Sequence, residues 1–427
     1  MGMKIAIIGG GWAGMAAAVR LTELGHTPTI FEAAKTLGGR ARALEATLPS
    51  GHNVTLDNGQ HILIGAYIET LRLMRQVGVD ADAALLRLPL LLQFPDSTGL
   101  RLPPWPAPFN AIAGIASARG WTWSDKLSLV KAAIGWRVKS FHCYGRDSVA
   151  NVCSGISPRV MHELIEPLCV SALNTPADRA SGQVFLRVLR DSLFGDAGSS
   201  DLMLPKTDLT ALFPSAASNW IAQRGGQLKL GMRVDQLEPV GDGWQLSGPQ
   251  FDAERFNRVI VATSASSALS LLDQTVEAKP WIKTTQALRF EAITTVYAWG
   301  EGVTLAQPML ALRSDSASHS PAQFVFDRGQ LGGTAGLLAF VVSASTGERD
   351  VLQAEVLAQA KNHLGLTLQA VQTVVEKRAT FACTPALARP PMRIATGLLS
   401  CGDYVDGPYP ATLEGAVRSG LAVASAQ

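Results

Sequence analysis

Residues 4–14 read Lys-Ile-Ala-Ile-Ile-Gly-Gly-Gly-Trp-Ala-Gly, an apolar strand that runs through closely spaced glycines into a helical segment. A second apolar strand follows and ends at Glu32. In such a unit Gly9 allows the tight turn, Gly11 leaves room for a pyrophosphate, and Gly14 lets helix and strand pack closely. The diphosphate lies on the helix N-terminus and the acid binds the ribose hydroxyls. The stretch therefore predicts a dinucleotide-binding unit; the alternative is a glycine-rich turn without a ligand.

The residues after the second strand distinguish two dinucleotides. They read Gly38-Gly39-Arg40-Ala41-Arg42, which resembles the continuation of this motif in the superfamily of flavin amine oxidases and phytoene desaturases. An arginine at this place can pair with the diphosphate through two parallel hydrogen bonds. The segment therefore favours FAD over NAD, and the FAD is expected to be bound non-covalently. The alternative is that Arg40 and Arg42 form only a solvated basic edge.

The composition limits the class of protein. A chain of 427 residues has room for two or more domains. Only 17% of the residues are charged and the mean hydropathy is +0.16, which indicates a large core, an apolar cavity or a surface that contacts lipid. The net charge of +2 is too small to indicate a nucleic-acid partner. Five scattered cysteines without a Cys-x-x-Cys pair predict reduced thiols in the cytoplasm and no metal site.

The segment 100–125 is rich in proline and aromatic residues, among them Trp105, Phe109, Trp121 and Trp123. Its prolines exclude a membrane-spanning helix, and no other uncharged run is long and helical enough to span a bilayer. Tryptophan is typical of the membrane–water interface. We therefore predict a lid that makes peripheral contact with the cytoplasmic face of a membrane. The alternative is a lid that packs on the protein's own core.

The apolar patterns beyond residue 80 predict a second region. Helices with an apolar face and little charge form the expected wall of a substrate cavity, at 147–154, 158–172 and 180–193. Apolar strands predict a further sheet, at 286–299, 322–326, 336–343 and 371–382, with a helix at 349–364. Between these two blocks the chain returns to the nucleotide-binding region, through a helix at 209–224, short strands and a buried strand at 258–263.

These elements predict an α/β fold. A Rossmann-like FAD-binding domain of the glutathione reductase type is interleaved with an α+β substrate domain of mixed sheet plus helices. The FAD-binding domain is expected to comprise residues 1–80, 205–265 and 390–427. The substrate-binding domain is expected to comprise residues 81–204 and 266–389.

A motif near the C-terminus complements the first forty residues. A strand ends in Gly402-Asp403, and a helix begins near Thr412-Leu413. Asp403 is expected to bind the ribityl chain or lie near the diphosphate, and the helix N-terminus is expected to face the flavin pyrimidine. A Gly-Asp turn before a helix is common. Together with residues 4–42, however, it predicts that the two ends of the chain meet around one FAD.

Nearly the whole chain resembles the hydroxysqualene dehydroxylases, which are also described as squalene-associated FAD-dependent desaturases. The motifs that carry this resemblance are Leu56-Asp57-Asn58-Gly59-Gln60-His61, Leu173-Asn174-Thr175-Pro176 with Ala180-Ser181, Phe324-Val325-Phe326-Asp327-Arg328, and Gly402-Asp403 with Leu413-Glu414-Gly415-Ala416. Members of this family act in bacterial squalene and hopanoid biosynthesis. The resemblance implies an FAD-dependent oxidoreductase that reduces hydroxysqualene, an apolar isoprenoid, to squalene.

The resemblance also extends the cofactor site. It implies that Gly59, Gln60 and His61 lie beside the flavin ring and that the backbone of Val234 faces the adenine. The full set of predicted cofactor-binding residues is Gly9, Gly11, Trp12, Ala13, Gly14, Glu32, Ala33, Gly39, Arg40, Gly59, Gln60, His61, Val234, Ala262, Thr263, Gly402, Asp403, Thr412 and Leu413.

The implied reaction transfers hydride from the reduced flavin to the allylic carbon while the hydroxyl leaves as water. Because hydroxide is a poor leaving group, a general acid must protonate it. His61 is the first candidate, followed by Asp57 and Tyr409, and the spacing favours none of them. The donor that reduces the flavin is not identified by any motif.

Three other functions share this fold. A carotenoid or polyene desaturase would use the flavin oxidatively on a similar substrate. An amine oxidase is disfavoured because Thr412 stands where an aromatic residue is expected and the strand 290–299 lacks a lysine. A non-enzymatic prenyl-lipid carrier is disfavoured by the intact nucleotide motif at Gly9, Gly11 and Gly14.

Overall fold

The computed structural model describes residues 3–105, 108–315 and 317–426; residues 106 and 107 of the predicted lid lie outside this range. Within it, the strands are β1 (Ile5–Ile8), β2 (Thr29–Glu32), β3 (Ala43–Thr47), β4 (Asn53–Asp57), β5 (Leu63–Ile64), β6 (Leu85–Leu88), β7 (Leu91–Gln93), β8 (Gly99–Arg101), β9 (Leu202–Pro205), β10 (Gln227–Leu230), β11 (Gln236–Val240), β12 (Gly243–Gly248), β13 (Phe251–Phe256), β14 (Arg258–Val261), β15 (Phe290–Trp299), β16 (Met309–Ala311), β17 (Phe324–Asp327), β18 (Leu337–Ser345), β19 (Gln369–Phe381), β20 (Arg393–Ala395) and β21 (Leu398–Ser400).

The α-helices of the same residues are α1 (Trp12–Glu23), α2 (Ile68–Gln76), α3 (Ala81–Ala84), α4 (Phe109–Ser117), α5 (Trp123–Val138), α6 (Val149–Val152), α7 (Pro158–Val160), α8 (Glu166–Leu173), α9 (Gly182–Leu193), α10 (Leu209–Leu212), α11 (Pro214–Ala222), α12 (Ala265–Leu272), α13 (Lys279–Gln286), α14 (Arg349–Leu364) and α15 (Leu413–Ser425). Short 3-10 turns lie at Val276–Ala278 and Gly329–Leu331, and a π-helical turn lies at Met161–Ile165.

A six-stranded sheet forms the nucleotide-binding part of the fold. Its strand order is β10-β2-β1-β14-β21-β20, and all neighbours are parallel except β20 and β21. Strand β1 is buried along its whole length, as expected for a parallel strand covered by helices on both faces. The predicted α/β class with a Rossmann-like sheet is confirmed. The strands come from three stretches of the chain that are far apart in sequence.

The first and last helices of the described chain pack directly on each other. Ten of the twelve residues of α1 are buried, and Gly420 of α15 lies so close that a side chain there would collide with the Ala13 carbonyl oxygen. The small residues of both helices allow this close approach. As a result, the loop after β1 and the loop before α15 lie on the same side of the parallel sheet.

A five-stranded antiparallel sheet forms the second layer, with the order β16-β17-β18-β15-β19. Helix α14 covers one face, where Val356 and Ala360 pack against Val296 and Phe340. The helix occupies the predicted range 349–364. The opposite face of this sheet borders a large cavity, and helices α8 and α9 pack beside it.

Proline explains two differences from the predicted helices. The segment predicted as one helix at 158–172 contains a π-helical turn, because Pro167 has no N–H and the Glu166 N–H instead bonds the Met161 carbonyl five residues back. The helix predicted at 209–224 is divided at Phe213, which precedes Pro214 and adopts a non-helical backbone. Strand β13 and helices α12 and α13 were not predicted.

Candidate active site

A cavity of about 1060 Å³ lies between the two sheets. It opens at the carboxyl ends of β1 and β2, where ligands bind in open parallel sheets. Among the predicted cofactor-binding residues, all except Gly14 line this cavity. The tertiary structure therefore brings together residues from both ends of the chain, from Gly9 to Leu413. We refer to the part lined by these residues as the cofactor cleft.

Each of the three motif glycines is required for a different local reason. Gly9 has a φ of +115°, and a side chain there would lie 2.7 Å from the Ala262 carbonyl oxygen. A side chain at Gly14 would collide with the Gly9 carbonyl oxygen, so this residue serves helix–strand packing away from the cavity. By contrast, a Cβ at Gly11 would have no protein atom closer than 3.9 Å and would project toward the cleft. A side chain at Gly11 would therefore occupy space in the cleft without disturbing the packing of the fold.

The start of α1 is suited to an anion. Its N-cap residue is Gly11, which supplies no side-chain hydrogen bond, and the first turn contains no acidic residue. The free N–H groups and the helix dipole therefore favour a negatively charged ligand at this point. The start of α15 also faces the cleft, although Thr412 there accepts a hydrogen bond from the Gly415 N–H (2.9 Å).

Glu32 is held at the end of β2 by the backbone. Its carboxylate accepts hydrogen bonds from the Gly10 N–H (2.6 Å) and the Ala34 N–H (2.8 Å). The side chain therefore has a defined position beside Ala33 and Val234 in the wall of the cleft. A carboxylate in this place can still accept hydrogen bonds from ribose hydroxyls through its remaining lone pairs.

Arg40 and Asp403 form an ion pair across the cleft, with 2.6 Å between Nη2 and Oδ1. The other terminal nitrogen of Arg40 donates to the carbonyl oxygens of Arg378 (3.1 Å) and Ala379. The neighbouring Asp403 carboxylate raises the pKa of Arg40 above its ordinary value. The pair thus holds the Arg40 guanidinium in place in the cleft and ties the first motif to the last one.

His61 lies in the wall near Gly59. Its Nδ1 contacts the Gly59 carbonyl oxygen at 2.9 Å, which assigns the proton to Nδ1 and leaves Nε2 as an acceptor in the neutral ring. Burial lowers the pKa of His61 below its ordinary value. The imidazole is therefore mostly neutral at pH 7, and the fraction that can donate a proton from Nε2 increases as the pH falls.

The structure does not bring the other two predicted catalytic residues to the cavity wall. The buried Asp57 carboxylate accepts a hydrogen bond from the Leu209 N–H (2.8 Å) and lies 3.9 Å from Arg328. Burial raises the pKa of Asp57 to about 6. The Tyr409 hydroxyl donates to Asp191 at 2.8 Å. Both side chains connect elements of the fold, and neither lines the cavity.

Ser343, Glu376 and Arg378 also line the cavity, but one part of the remaining wall is apolar and was not predicted residue by residue. It is formed by one face of the five-stranded sheet, and we call it the apolar end; it consists of Ile293, Phe324, Phe326, Val341 and Val374. The signal was present in the sequence as alternation along the strands, since residues two apart share a face. Which face borders the cavity depended on α14, which covers the other one.

Two of the motifs quoted in the sequence analysis, at 173–176 and 324–328, support this wall. Phe324 and Phe326 point into the cavity, and the buried Arg328 donates to the Gln60 side chain at 3.2 Å. Asn174 has a left-handed backbone (φ +45°) at the end of α8. Its amide group donates to Thr380 (3.0 Å) and accepts from the Ala344 N–H (2.6 Å), which fastens α8 to the sheet.

The residues present fit a flavin dinucleotide. The cleft offers an uncapped helix start for a diphosphate, a fixed carboxylate for a ribose, a partly exposed guanidinium and a second helix N-terminus. Beyond these groups, the cavity becomes apolar. The arrangement can therefore hold a charged dinucleotide at one end and an uncharged, water-insoluble molecule at the other.

Comparison with known sequences agrees with this geometry. The family described as flavin containing amine oxidoreductase matches residues 12–426. Hydroxysqualene dehydroxylases are similar over nearly the whole length: that of Rhodopseudomonas palustris is 27% identical, covering 98% of this chain and 97% of its own, and that of Sinorhizobium fredii is 26% identical with the same coverage. The 15-cis-phytoene desaturase of Capsicum annuum is 24% identical over 99% of this chain and 77% of its own.

Solved structures agree on the fold. An oxidoreductase from Methanosarcina mazei has a TM-score of 0.73 at 17% identity, covering 99% of both chains. The cyclohexylamine oxidase of Brevibacterium oxydans has a TM-score of 0.68 at 16% identity, covering 99% of this chain and 98% of its own.

Proposed function

This chain belongs to the family of flavin-containing amine oxidoreductases and is a flavin-dependent oxidoreductase; within that family, we propose that it is an FAD-dependent hydroxysqualene dehydroxylase. It reduces hydroxysqualene to squalene with loss of water. The observation that carries this proposal is the apolar end of the cavity, which continues directly from a cleft suited to a flavin dinucleotide. The full-length similarity to hydroxysqualene dehydroxylases supports the same substrate class.

The cofactor is FAD, bound without a covalent bond. Its adenosine ribose is held by Glu32, its diphosphate by the start of α1 with Arg40 beside it, and its flavin end by the start of α15. When bound, the reduced flavin supplies the hydride.

The apolar end holds the isoprenoid chain. Burial of hydrocarbon contributes about 25 cal/mol per Å² of surface removed from water. None of the five side chains of the apolar end is charged, although Glu376, the register partner of Ile293, also lines the cavity. The apolar end also excludes water from the reacting carbon. His61 is the residue best placed to donate a proton to the departing hydroxyl, because it is the one predicted catalytic side chain in the wall. The electron donor that reduces the flavin is a separate partner whose class no residue of the cavity indicates.

A carotenoid or polyene desaturase is the second candidate. The similarity to 15-cis-phytoene desaturase supports it. The two functions differ in the redox state of the flavin that reacts. They also differ in the substrate, because the desaturase substrate has no hydroxyl group.

Anaerobic product analysis separates the two functions. We expect pre-reduced enzyme to convert hydroxysqualene to squalene in amounts stoichiometric with its flavin, and oxidised enzyme to convert none. In the matched reactions with phytoene, neither form should introduce a double bond. Squalene absent from the reduced reaction would reject the dehydroxylase, and desaturation of phytoene by the oxidised form would establish the alternative.

We further propose that the protein takes its substrate from the surface of an anionic membrane. Within the described ranges, no helix has both the length and the apolar character needed to cross a bilayer. Helix α5 nevertheless exposes an apolar stripe, at Trp123, Leu127, Val130, Ile134 and Val138, on the side opposite its buried Leu129 and Trp136. Residues three or four apart share one helix face, so these side chains form a continuous row about 22 Å long.

Aromatic and basic residues extend this interface. Trp105, Phe109 and Ile112 are also exposed, close before α5 in the sequence. Lys126, Lys131 and Arg137 each lie three or four residues from a member of the stripe, and the acidic residue of α5, Asp125, is buried at the helix start. Basic residues beside an exposed apolar row are the arrangement of a helix that lies in the headgroup region of a negatively charged membrane.

Vesicle flotation tests this surface. We expect the wild type to float with phosphatidylglycerol vesicles, and the double variant Leu127→Glu/Ile134→Glu to lose at least about tenfold of that binding, because carboxylates do not enter the apolar part of the interface. The matched control is Val276→Glu/Val351→Glu, which adds the same charge at two exposed valines outside the stripe. Equal loss in both variants would attribute binding to net charge alone and reject the stripe.

A further inference from the structure

One buried hydroxyl in the cavity has no partner. Among the described residues, three buried side-chain oxygens lack a hydrogen bond, those of Thr275, Thr295 and Tyr404, and of these only Thr295 lines the large cavity. Thr295 lies on β15 and is 1% exposed. A buried polar atom without a partner is rare in folded proteins and costs about 1–3 kcal/mol. Its position in a ligand cavity indicates that the partner is a ligand.

The side chains that neighbour Thr295 across the sheet are apolar. On the adjacent strands, Val374 and Val341 are its register partners, and Phe324 continues the same row across the sheet. Thr295 is the polar member of an otherwise apolar row at the apolar end. A valine has nearly the same shape and would fill this place without the cost of an unpartnered hydroxyl. Packing therefore does not explain the threonine.

The hydroxyl also lies close to the loop that carries His61. From the point where a Gly59 side chain would begin, Thr295 Oγ1 is 3.7 Å away and His61 Cε1 is 3.9 Å away. Gly59 has a φ of +116°, and the absence of a side chain leaves this space open between the two residues. The two residues therefore border the same space beside Gly59.

We infer that Thr295 is a specificity-determining residue that binds the alcohol oxygen of an otherwise hydrocarbon ligand. An alcohol oxygen accepts two hydrogen bonds and donates one. The Thr295 hydroxyl donates to one lone pair of the oxygen, and the second lone pair remains available to a proton donor such as His61. A hydrocarbon of the same skeleton leaves the threonine unpartnered, so the site selects against it.

This inference rests on the proposed function for the identity of the ligand, and equilibrium binding tests it separately. Oxidised enzyme, which does not reduce the alcohol, is titrated with hydroxysqualene and with squalene. We expect the wild type to bind the alcohol about tenfold more tightly, the difference that one hydrogen bond of about 1.4 kcal/mol provides. Thr295→Val should remove this preference and leave squalene binding unchanged or stronger, whereas Thr295→Ser should keep it.

The flavin is the competing partner for the Thr295 hydroxyl. If the hydroxyl bonds the flavin and not the alcohol, Thr295→Val will shift the flavin absorption spectrum in the absence of ligand and keep the alcohol preference, which overturns the inference. Thermal unfolding of all three proteins shows that the variants fold. Loss of the preference in Thr295→Val, with no squalene formed by the reduced wild type, would retain the alcohol site and reject only the proposed reaction.

Discussion

A Gly11→Val variant is expected to fold normally and to purify without flavin. A side chain at this position meets no protein atom within 3.9 Å at its first carbon, and the backbone φ of −76° suits any residue. The added carbons occupy the space in front of the α1 N-terminus, where the diphosphate is expected to bind. We therefore expect flavin affinity to fall by at least about a hundredfold, while the unfolding midpoint of the apoprotein remains unchanged.

Flavin absorbance per protein and urea unfolding of both apoproteins measure these two effects. The matched control is Gly14→Ala, which is expected to show the opposite result. Its smaller side chain would collide with the Gly9 carbonyl oxygen inside the helix–strand contact, so it should reduce the yield of folded protein. A Gly11→Val protein that retains its flavin and its activity would contradict the assignment of the cleft.

The second large effect is expected on stability, from Glu414. This glutamate of α15 is completely buried and accepts hydrogen bonds from the Glu69 N–H (3.1 Å), the Thr70 N–H (2.9 Å) and the Thr70 hydroxyl (2.7 Å). It also pairs with Arg418 at 2.7 Å. One carboxylate thus accepts the hydrogen bonds of three donors at the start of α2 and fastens this helix to α15. Glu414→Ala leaves these donors buried without an acceptor, which costs about 3–5 kcal/mol.

Chemical unfolding of the purified apoproteins measures that loss. Glu69→Ala is the control, because it removes the same charge from a partly exposed side chain at the same contact, keeps the backbone N–H that bonds Glu414, and should change stability by about 0.5 kcal/mol or less. Glu414→Gln should lie between the two, since it keeps one acceptor oxygen. An alanine variant as stable as the control would show that water satisfies these donors and that the contact between α2 and α15 does not need the carboxylate.

The elements that were predicted well have local causes. The segment 4–32 contains its own turn, helix start and strand end, and α14 has an uninterrupted helical pattern from Arg349 to Leu364. Elements that were missed depend on neighbours. Strand β13 carries three charged residues among six, and it is a strand because it pairs with β12. The helix predicted at 209–224 is divided at Phe213, which the proline that follows it could have indicated.

The same distinction holds for the site. The cofactor-binding residues were predicted from motifs whose backbone conformation places them in the cleft, and all but Gly14 line it. The motifs did not distinguish among the three candidate proton donors. Asp57 and Tyr409 flank the right motifs in sequence, but their side chains are engaged by Leu209 and Asp191, residues that no local pattern relates to them.

The sequence by itself determined the nucleotide motif, the meeting of the two chain ends and the family, because glycines, strand ends and helix starts act through backbone geometry over a few residues. Only the tertiary structure decided which face of the antiparallel sheet borders the cavity and that the hydroxyl of Thr295 has no partner there. Hydrogen-bond partners are neighbours in space, and Thr295 meets Gly59, Val341 and Val374 only after distant strands have paired. A threonine in an apolar strand has no distinguishing sequence pattern. Thr295 becomes a candidate ligand-binding residue only because the fold buries it beside the cavity.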